Sequence, residues 1–414
     1  MRLRHLFFAL TLAGAGVAPS THAQQPVRRL TIAEAFELAE KQNLDLLAAR
    51  ARQAVSQAGV RAAAQRPNPT GSASVSRDAP HEGVLLDQPV EIGPKRSRRI
   101  EVAQQEGALT EVDIAAVEKK VRHRVRDTYF GLAHARGKTA LQAEALKLAQ
   151  RLREIAEARF NTGDAAQLEV TQADLEIARA QADFEVAQQE EKVALSELNS
   201  VLGEPDQADW DLGSVLATPT STPSLPDLLA RAANANAELA RIGQEAKVEQ
   251  GRTALLRAER VPDLGLEVGL DLNNPGYGPH SGGYIVGFRG GVLMQLPVFS
   301  RNQGEIAESI ASERVIEDEL AAARRSLTSA VDSAYFDLQA RQRQVQLYRD
   351  TVLPSSHHLE DMAEESYRAG KANLLVVLTA QHDVQQVERN YLDNLWELQT
   401  AFAQLEEAVG GPLN

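Results

Sequence analysis

The sequence predicts a mainly α-helical chain with a small β part: a duplicated long-helix coiled-coil tube plus four β-strands. Three observations predict it. First, Ala173, Ala180, Ala187 and Ala194 recur every seven residues, with Val201 next in line, and Ile177, Phe184 and Leu198 stand four positions after members of that row. An apolar seven-residue repeat keeps one seam against a neighbouring helix, and alanine in it allows close approach. Second, the pattern returns 207 residues later. Gly370 then lies under Gly163, Tyr367 under Phe160, and Val384, Tyr391, Leu398 and Leu405 continue the apolar row, while the alanine row becomes Ala380, Val387, Asn394, Ala401 and Ala408. A repeat in register and without a gap marks an internal duplication. Third, two stretches alternate apolar and polar residues with the period of a strand.

The elements follow in order. Arg2 and Arg4, the apolar run Leu6 to Val17, and Thr21-His22-Ala23 read as a secretory signal over residues 1–23. Removing it takes the formal charge from −13 to −15, a poor basis for nucleic-acid binding. The absence of cysteine excludes disulfides, thiolate metal sites and lipid attachment through an N-terminal cysteine. Beyond the signal, no run reaches the ~18 apolar residues of a membrane helix.

The first repeat is expected over 24–216. A helix from Thr31 to Arg66 opens on Thr31 with Glu34 three residues on, as in a capping box, and stops at Arg66-Pro67-Asn68-Pro69. A hairpin over 70–92 follows, its strands about Thr70 to Arg77 and Val84 to Ile92. In the second, Val84, Leu86, Val90 and Ile92 share one face and Asp87 and Glu91 the other. Then come the basic cluster Lys95-Arg96-Ser97-Arg98-Arg99 and a helix to Phe160, about 100 Å long at ~1.5 Å per residue. The turn Phe160-Asn161-Thr162-Gly163-Asp164 leads into the heptad helix, which ends near Gly203-Glu204-Pro205. A linker over 217–226, rich in Pro, Ser and Thr, leads to the second repeat, 227–414.

Leu225 to Glu259 matches the first helix at a spacing of 193, with Asn236 under Asn43. The hairpin over 264–298 is the clearest strand pair. Leu264, Leu266, Val268, Leu270 and Leu272 share a face with Tyr284, Val286, Phe288, Val292, Met294, Leu296 and Val298 across the loop. Gly265, Glu267, Gly269, Asp271, Gly287, Arg289, Gly291 and Gln295 form the other face. The last long helix runs from about Asn302 to Tyr367 with a break or kink at Pro354. The turn Tyr367-Arg368-Ala369-Gly370-Lys371 precedes the closing helix.

Strands of about ten residues with one apolar and one polar face suit a bilayer, and only closed barrels satisfy strand edges there. Four strands cannot close, so several chains must contribute: eight strands from a dimer fill with side chains, twelve from a trimer leave a channel. The helices are too long for the membrane and must project as a tube, with the two glycine turns at its far tip. There they are placed to dock a partner.

The whole order, with Gly163 and Gly370 in the turns, resembles the TolC-like outer-membrane channels of tripartite efflux and type I secretion. Leu86-Asp87-Gln88-Pro89-Val90-Glu91-Ile92-Gly93-Pro94-Lys95-Arg96 and Leu296-Pro297-Val298-Phe299-Ser300-Arg301-Asn302-Gln303-Gly304 are similar to its CzcC-type branch, which serves cobalt, zinc and cadmium export. The resemblance implies a homotrimer with a trimeric α-barrel and a twelve-stranded β-barrel held in outer-membrane lipid and extending into the periplasm. It implies a periplasmic membrane-fusion adaptor docking on the turns (Phe160, Gly163, Asp164, Tyr367, Gly370, Lys371) and an inner-membrane, proton-driven RND-type transporter as partners. It also implies a periplasmic gate six and nine residues after each turn glycine. Those positions are Glu169 and Gln172, then Val376 and Thr379, so the second copy lacks acids and Val376 and Val377 are expected to assist closure. A multidrug or type I secretion channel of the same fold is the alternative, and a periplasmic coiled-coil scaffold or adaptor explains the heptads but not the hairpins. No nucleophile elbow, phosphate loop or HExxH helix is present, so neither an enzyme nor a cofactor is expected. His357 and Asp361, one helical turn apart, are weak metal candidates against a plain polar patch, and His81 and His280 are read as loop surface residues. The basic cluster is expected to anchor the barrel rim.

Overall fold

The computed structural model describes residues 28–76, 82–205, 208–212, 223–272 and 286–413. The signal segment, His81, His280, Tyr284 and most of the linker lie outside the described residues. A short strand β1 (Arg28–Leu30) precedes α1 (Ile32–Gln42) and α2 (Leu44–Ala63); then come β2 (Thr70–Val75), β3 (Glu82–Val90), α3 (Lys95–Thr162), α4 (Gln167–Leu202) and β4 (Trp210–Leu212). The second half runs α5 (Leu225–Ala235), α6 (Ala237–Ala258), β5 (Leu264–Leu272), β6 (Gly287–Met294), α7 (Gln303–Leu347), a π turn (Tyr348–Val352), α8 (Leu353–Arg368) and α9 (Leu374–Val409). α3 is unbroken over 68 residues, about 100 Å. Among the described residues no helix is long and apolar enough to cross a membrane.

Two expectations about helices are corrected. The single helices Thr31 to Arg66 and Leu225 to Glu259 are each two, broken at Asn43 and at Asn236, which leave helical geometry with ψ 121° and 128°. Each asparagine is at once the end of one helix and the N-cap of the next. Asn43 Oδ1 accepts from Leu46 N at 3.0 Å while its Nδ2 donates to Val201 O at 2.8 Å. Asn236 repeats both bonds with Leu239 N and Ala408 O. The partners Val201 and Ala408 are again 207 residues apart, so the duplication preserves the lock. The expected break at Pro354 is a π turn just before it. A proline ring collides with the carbonyl four residues back, here Asp350, and the wider turn swings that carbonyl away, leaving Leu353 N bonded to Tyr348 O.

The Thr31 capping box is present, with Thr31 N donating to Glu34 Oε2 at 2.8 Å and Glu34 N to Thr31 Oγ1 at 3.3 Å. A parallel pairing of β1 with β4, too short to read in the sequence, lets fully buried Trp210 cover the first-repeat core of Leu46, Val125, Tyr129, Leu132 and Leu198. An equivalent core around Leu338, Leu398, Phe402 and Leu405 serves the second repeat.

The four long strands form one antiparallel sheet in the order β2-β3-β5-β6. The register pairs Val84 with Leu270, Leu86 with Val268, and Leu266 with Val292, so the predicted apolar face is continuous across the sheet. Much of it is uncovered: Leu86, Val268, Phe288, Val292 and Met294 are all exposed. The strand ends differ slightly from expectation, since Ile92, Leu296 and Val298 fall beyond them. β2 and β6 are edge strands, each paired on one side only among the described residues.

Candidate functional site

The site has three levels: the sheet interior, the rim where sheet meets helices, and the far tip. On the inner face of the sheet stand Asp87, Glu267, Asp271 and Arg289. Each carboxylate lies over a glycine of the adjoining strand. A Cβ at Gly265 would fall 2.8 Å from Asp87 Oδ1, one at Gly83 3.3 Å from Asp271 Oδ1, and one at Gly291 3.2 Å from Glu267 Oε2. The glycines therefore let the acids lie flat along the wall. Arg289 pairs with Asp271 at 3.3 Å.

At the rim the basic cluster is engaged throughout. Buried Lys95 pairs with Asp263 at 2.6 Å, and Arg99 grips Glu91 through both oxygens at 2.6 and 3.2 Å. Arg99 also donates to Ala63 O and Gln65 O, and Arg96 to Ala64 O. These carbonyls close α2, so cations here satisfy a helix C-terminus while tying it to the end of the sheet.

At the tip both turns close in left-handed glycines, Gly163 at φ 82° and Gly370 at φ 70°. Gly163 N donates to Phe160 O at 3.0 Å and Asp164 N to Arg159 O at 2.9 Å; Gly370 and Lys371 repeat this with Tyr367 O and Ser366 O. This is a Schellman ending, which L-residues other than Asn adopt only with strain. Asp164 also accepts from Thr162 Oγ1 at 2.9 Å. The copies then diverge. Asn373 caps α9, accepting from Val376 N, whereas Ala166 at the same position before α4 has no side-chain cap.

The aromatics diverge further: Phe160 is 39% exposed, while Tyr367 is fully buried. Tyr367 packs with Leu152, Ala156, Ala173, Leu374 and Leu378, joining the repeats. Its hydroxyl donates to Glu169 Oε2 at 3.1 Å, and Arg159 stacks on its ring at 4.5 Å. Burial first, and the bond to Glu169 second, push the phenol above its ordinary range. The sequence places Tyr367 under Phe160 but gives no sign of this link. Glu169 and Gln172 are half-buried, and Val376 and Thr379 are exposed. Val377 is a correction: it is fully buried in the tip core and cannot line an opening.

His357 is likewise repositioned. Its ion pairs are with Glu360 at 3.8 Å and Glu388 of α9 at 3.4 Å rather than with Asp361. Among the described residues no group of three or more His, Cys, Asp or Glu is arranged to hold a metal ion. Burial raises both the Glu360 and the Glu388 carboxyl.

The chain is 26% identical over 425 residues to the cobalt-zinc-cadmium resistance protein CzcC of Cupriavidus metallidurans, covering 99% of this chain and all of the relative. It is 33% identical over 232 residues to the nickel and cobalt resistance protein CnrC of the same organism, covering 56% of this chain and 52% of that one. The fold superposes on the Campylobacter jejuni CmeC outer membrane channel with a TM-score of 0.73 at 16% identity, over 98% of this chain and 94% of that one. The profile of the family described as outer membrane efflux protein matches residues 35–204 and 228–411, most of both repeats, and the chain belongs to that family.

Proposed function

We propose that three copies of this chain form the outer-membrane channel of a tripartite, proton-driven efflux system exporting divalent heavy-metal cations of the cobalt, zinc and cadmium type. The observation that carries the reading is the open four-stranded sheet, with one apolar face and two unpaired edges. Pairing β6 of one copy with β2 of the next gives twelve strands, lipid outside and water inside. The cargo class is supported by the full-length similarity to CzcC and the partial similarity to CnrC, and by an inner wall bearing Asp87, Glu267 and Asp271 against Arg289.

Transport through such a channel needs no chemistry from the protein. Energy comes from proton flow through an inner-membrane RND-type transporter, coupled through a periplasmic membrane-fusion adaptor. In this reading the adaptor docks on the turns carrying Phe160, Gly163, Asp164, Tyr367, Gly370 and Lys371. Glu169, Gln172, Val376 and Thr379 form the periplasmic gate, with Glu169 giving one carboxylate per copy around the axis. The repeats are taken as 24–216 and 227–414, after a signal over 1–23.

Deleting the gene and measuring growth against zinc, cobalt, cadmium, copper and a panel of dyes tests the reading. Sensitivity confined to divalent metals is the expected result. Sensitivity to dyes with unchanged metal tolerance would point to a multidrug channel of the same fold.

A further inference from the structure

We propose that the inner face of the sheet carries a second cation filter, a ring of Asp87 and Glu267 carboxylates at one level of the barrel, separate from the tip gate. The filter rests on the three-copy channel reading. Asp87 of β3 and Glu267 of β5 stand directly opposite each other in the strand register. Like charges so placed weaken strand pairing, and a neighbouring cation would be the ordinary remedy. None is supplied. Arg289, the one cation on this face among the described residues, is held by Asp271 at 3.3 Å. Asp87 Oδ1 has no hydrogen-bond partner.

The glycines relieve the opposition instead. Asp87 leans across Gly265 and Glu267 leans the other way, across Gly291, where a Cβ would fall 2.8 and 3.2 Å from their carboxylate oxygens. The two acids are thereby spread along the wall with both charges kept. β2, which separates β3 from the next copy, brings only Thr70, Ser72 and Ser74 to this face. Three carboxylates against one guanidinium leave two negative charges per copy, and six around three copies. Those six are Asp87 and Glu267, at one height.

The size of the bore lets such a ring act on passing ions. Twelve strands ~4.8 Å apart and tilted by ~40° close at a backbone radius of about 12 Å, which sets flat-lying carboxylates about 10 Å from the axis. The Debye length is about 10 Å at 0.1 M salt and about 3 Å at 1 M. Six charges at that distance, screened in water, favour cations over anions about 20-fold at 0.1 M, and three charges about 5-fold. At 1 M the ring no longer reaches the axis. Rings of acids select cations by this means.

Reversal potentials of single channels formed by the purified full-length protein test the filter, with Glu169→Ala as the background so that the tip contributes no carboxylate. At about 0.1 M, Asp87→Asn or Glu267→Gln should each lower the cation-to-anion permeability ratio about fivefold. Arg289→Gln should raise it, because Asp271 is then released. All three changes should nearly vanish at about 1 M. A ratio that neither acid variant moves at 0.1 M, or that falls equally at both salt concentrations, would overturn the ring and leave the channel reading standing. A wild-type protein that forms no channel would overturn both. Either acid variant alone decides if the other does not fold.

Discussion

Gly203→Ala isolates what holds the two halves of each repeat together. Gly203 ends α4 at φ 74°, and a Cβ there would lie 2.6 Å from Gln42 O and 2.9 Å from Gln42 C. Gln42 is the last residue of α1, immediately before the Asn43 break. The left-handed backbone alone costs an alanine about 1–2 kcal/mol. The collision is with backbone, so α1 must retreat. Doing so stretches the Asn43 bonds to Val201 O and Leu46 N, each worth about 1 kcal/mol. The expected total is about 3–4 kcal/mol. Gly163→Ala is the control, with a similar φ of 82° but nothing within 4 Å of its Cβ, so only the ~1–2 kcal/mol of strain applies. Urea unfolding followed by far-ultraviolet circular dichroism at fixed protein concentration measures both. Asn43→Ala should be destabilising alone but less than additive with Gly203→Ala, since both act on one junction. Equal losses for the two glycine variants, or full additivity with Asn43→Ala, would refute the junction.

Three further outcomes are expected. Glu169→Ala should lower cation selectivity and relieve block by a trivalent cation in single-channel recording, and should shift the phenol titration of Tyr367 downward as its acceptor is lost. Gly163→Val should abolish metal resistance and adaptor cross-linking while the protein still folds, because the strained residue sits in open space at the tip. Glu388→Gln should raise stability near neutral pH by less than about 1 kcal/mol. Burial raises the folded-state carboxyl, so the native state binds protons more readily than the unfolded chain; that stability is present at low pH and lost as pH rises through the folded value. The variant's advantage should therefore vanish below about pH 4 in a thermal-denaturation series.

The duplication was legible because coiled-coil packing writes itself into sequence: Ala173, Ala180 and Ala187 are buried as the heptads required. The strands were legible because Glu267 and Asp271 alternate with leucine and valine. The breaks at Asn43 and Asn236 were not, because each lies within a helical apolar pattern with no Gly or Pro within five residues of it. An asparagine breaks such a helix only when a distant carbonyl, here Val201 or Ala408, takes its amide. The coincidence of Asn236 under Asn43 was the available signal. The fate of Glu169 was hidden for a similar reason: its partner Tyr367 is 198 residues away and pairs across repeats. Val377 and Val376 are adjacent and both apolar, and only the helix rotation set by packing against Leu152 and Ala173 separates the buried one from the exposed one.

Closure of the sheet between copies is the central claim, and native mass spectrometry of the detergent-extracted protein tests it most directly. Among the described residues β2 and β6 each leave one edge unpaired, and a channel wide enough for hydrated cations needs about twelve strands. The account predicts a trimer that persists at dilution and collapses to monomer only on unfolding. A spectrum holding only monomers and dimers would contradict it.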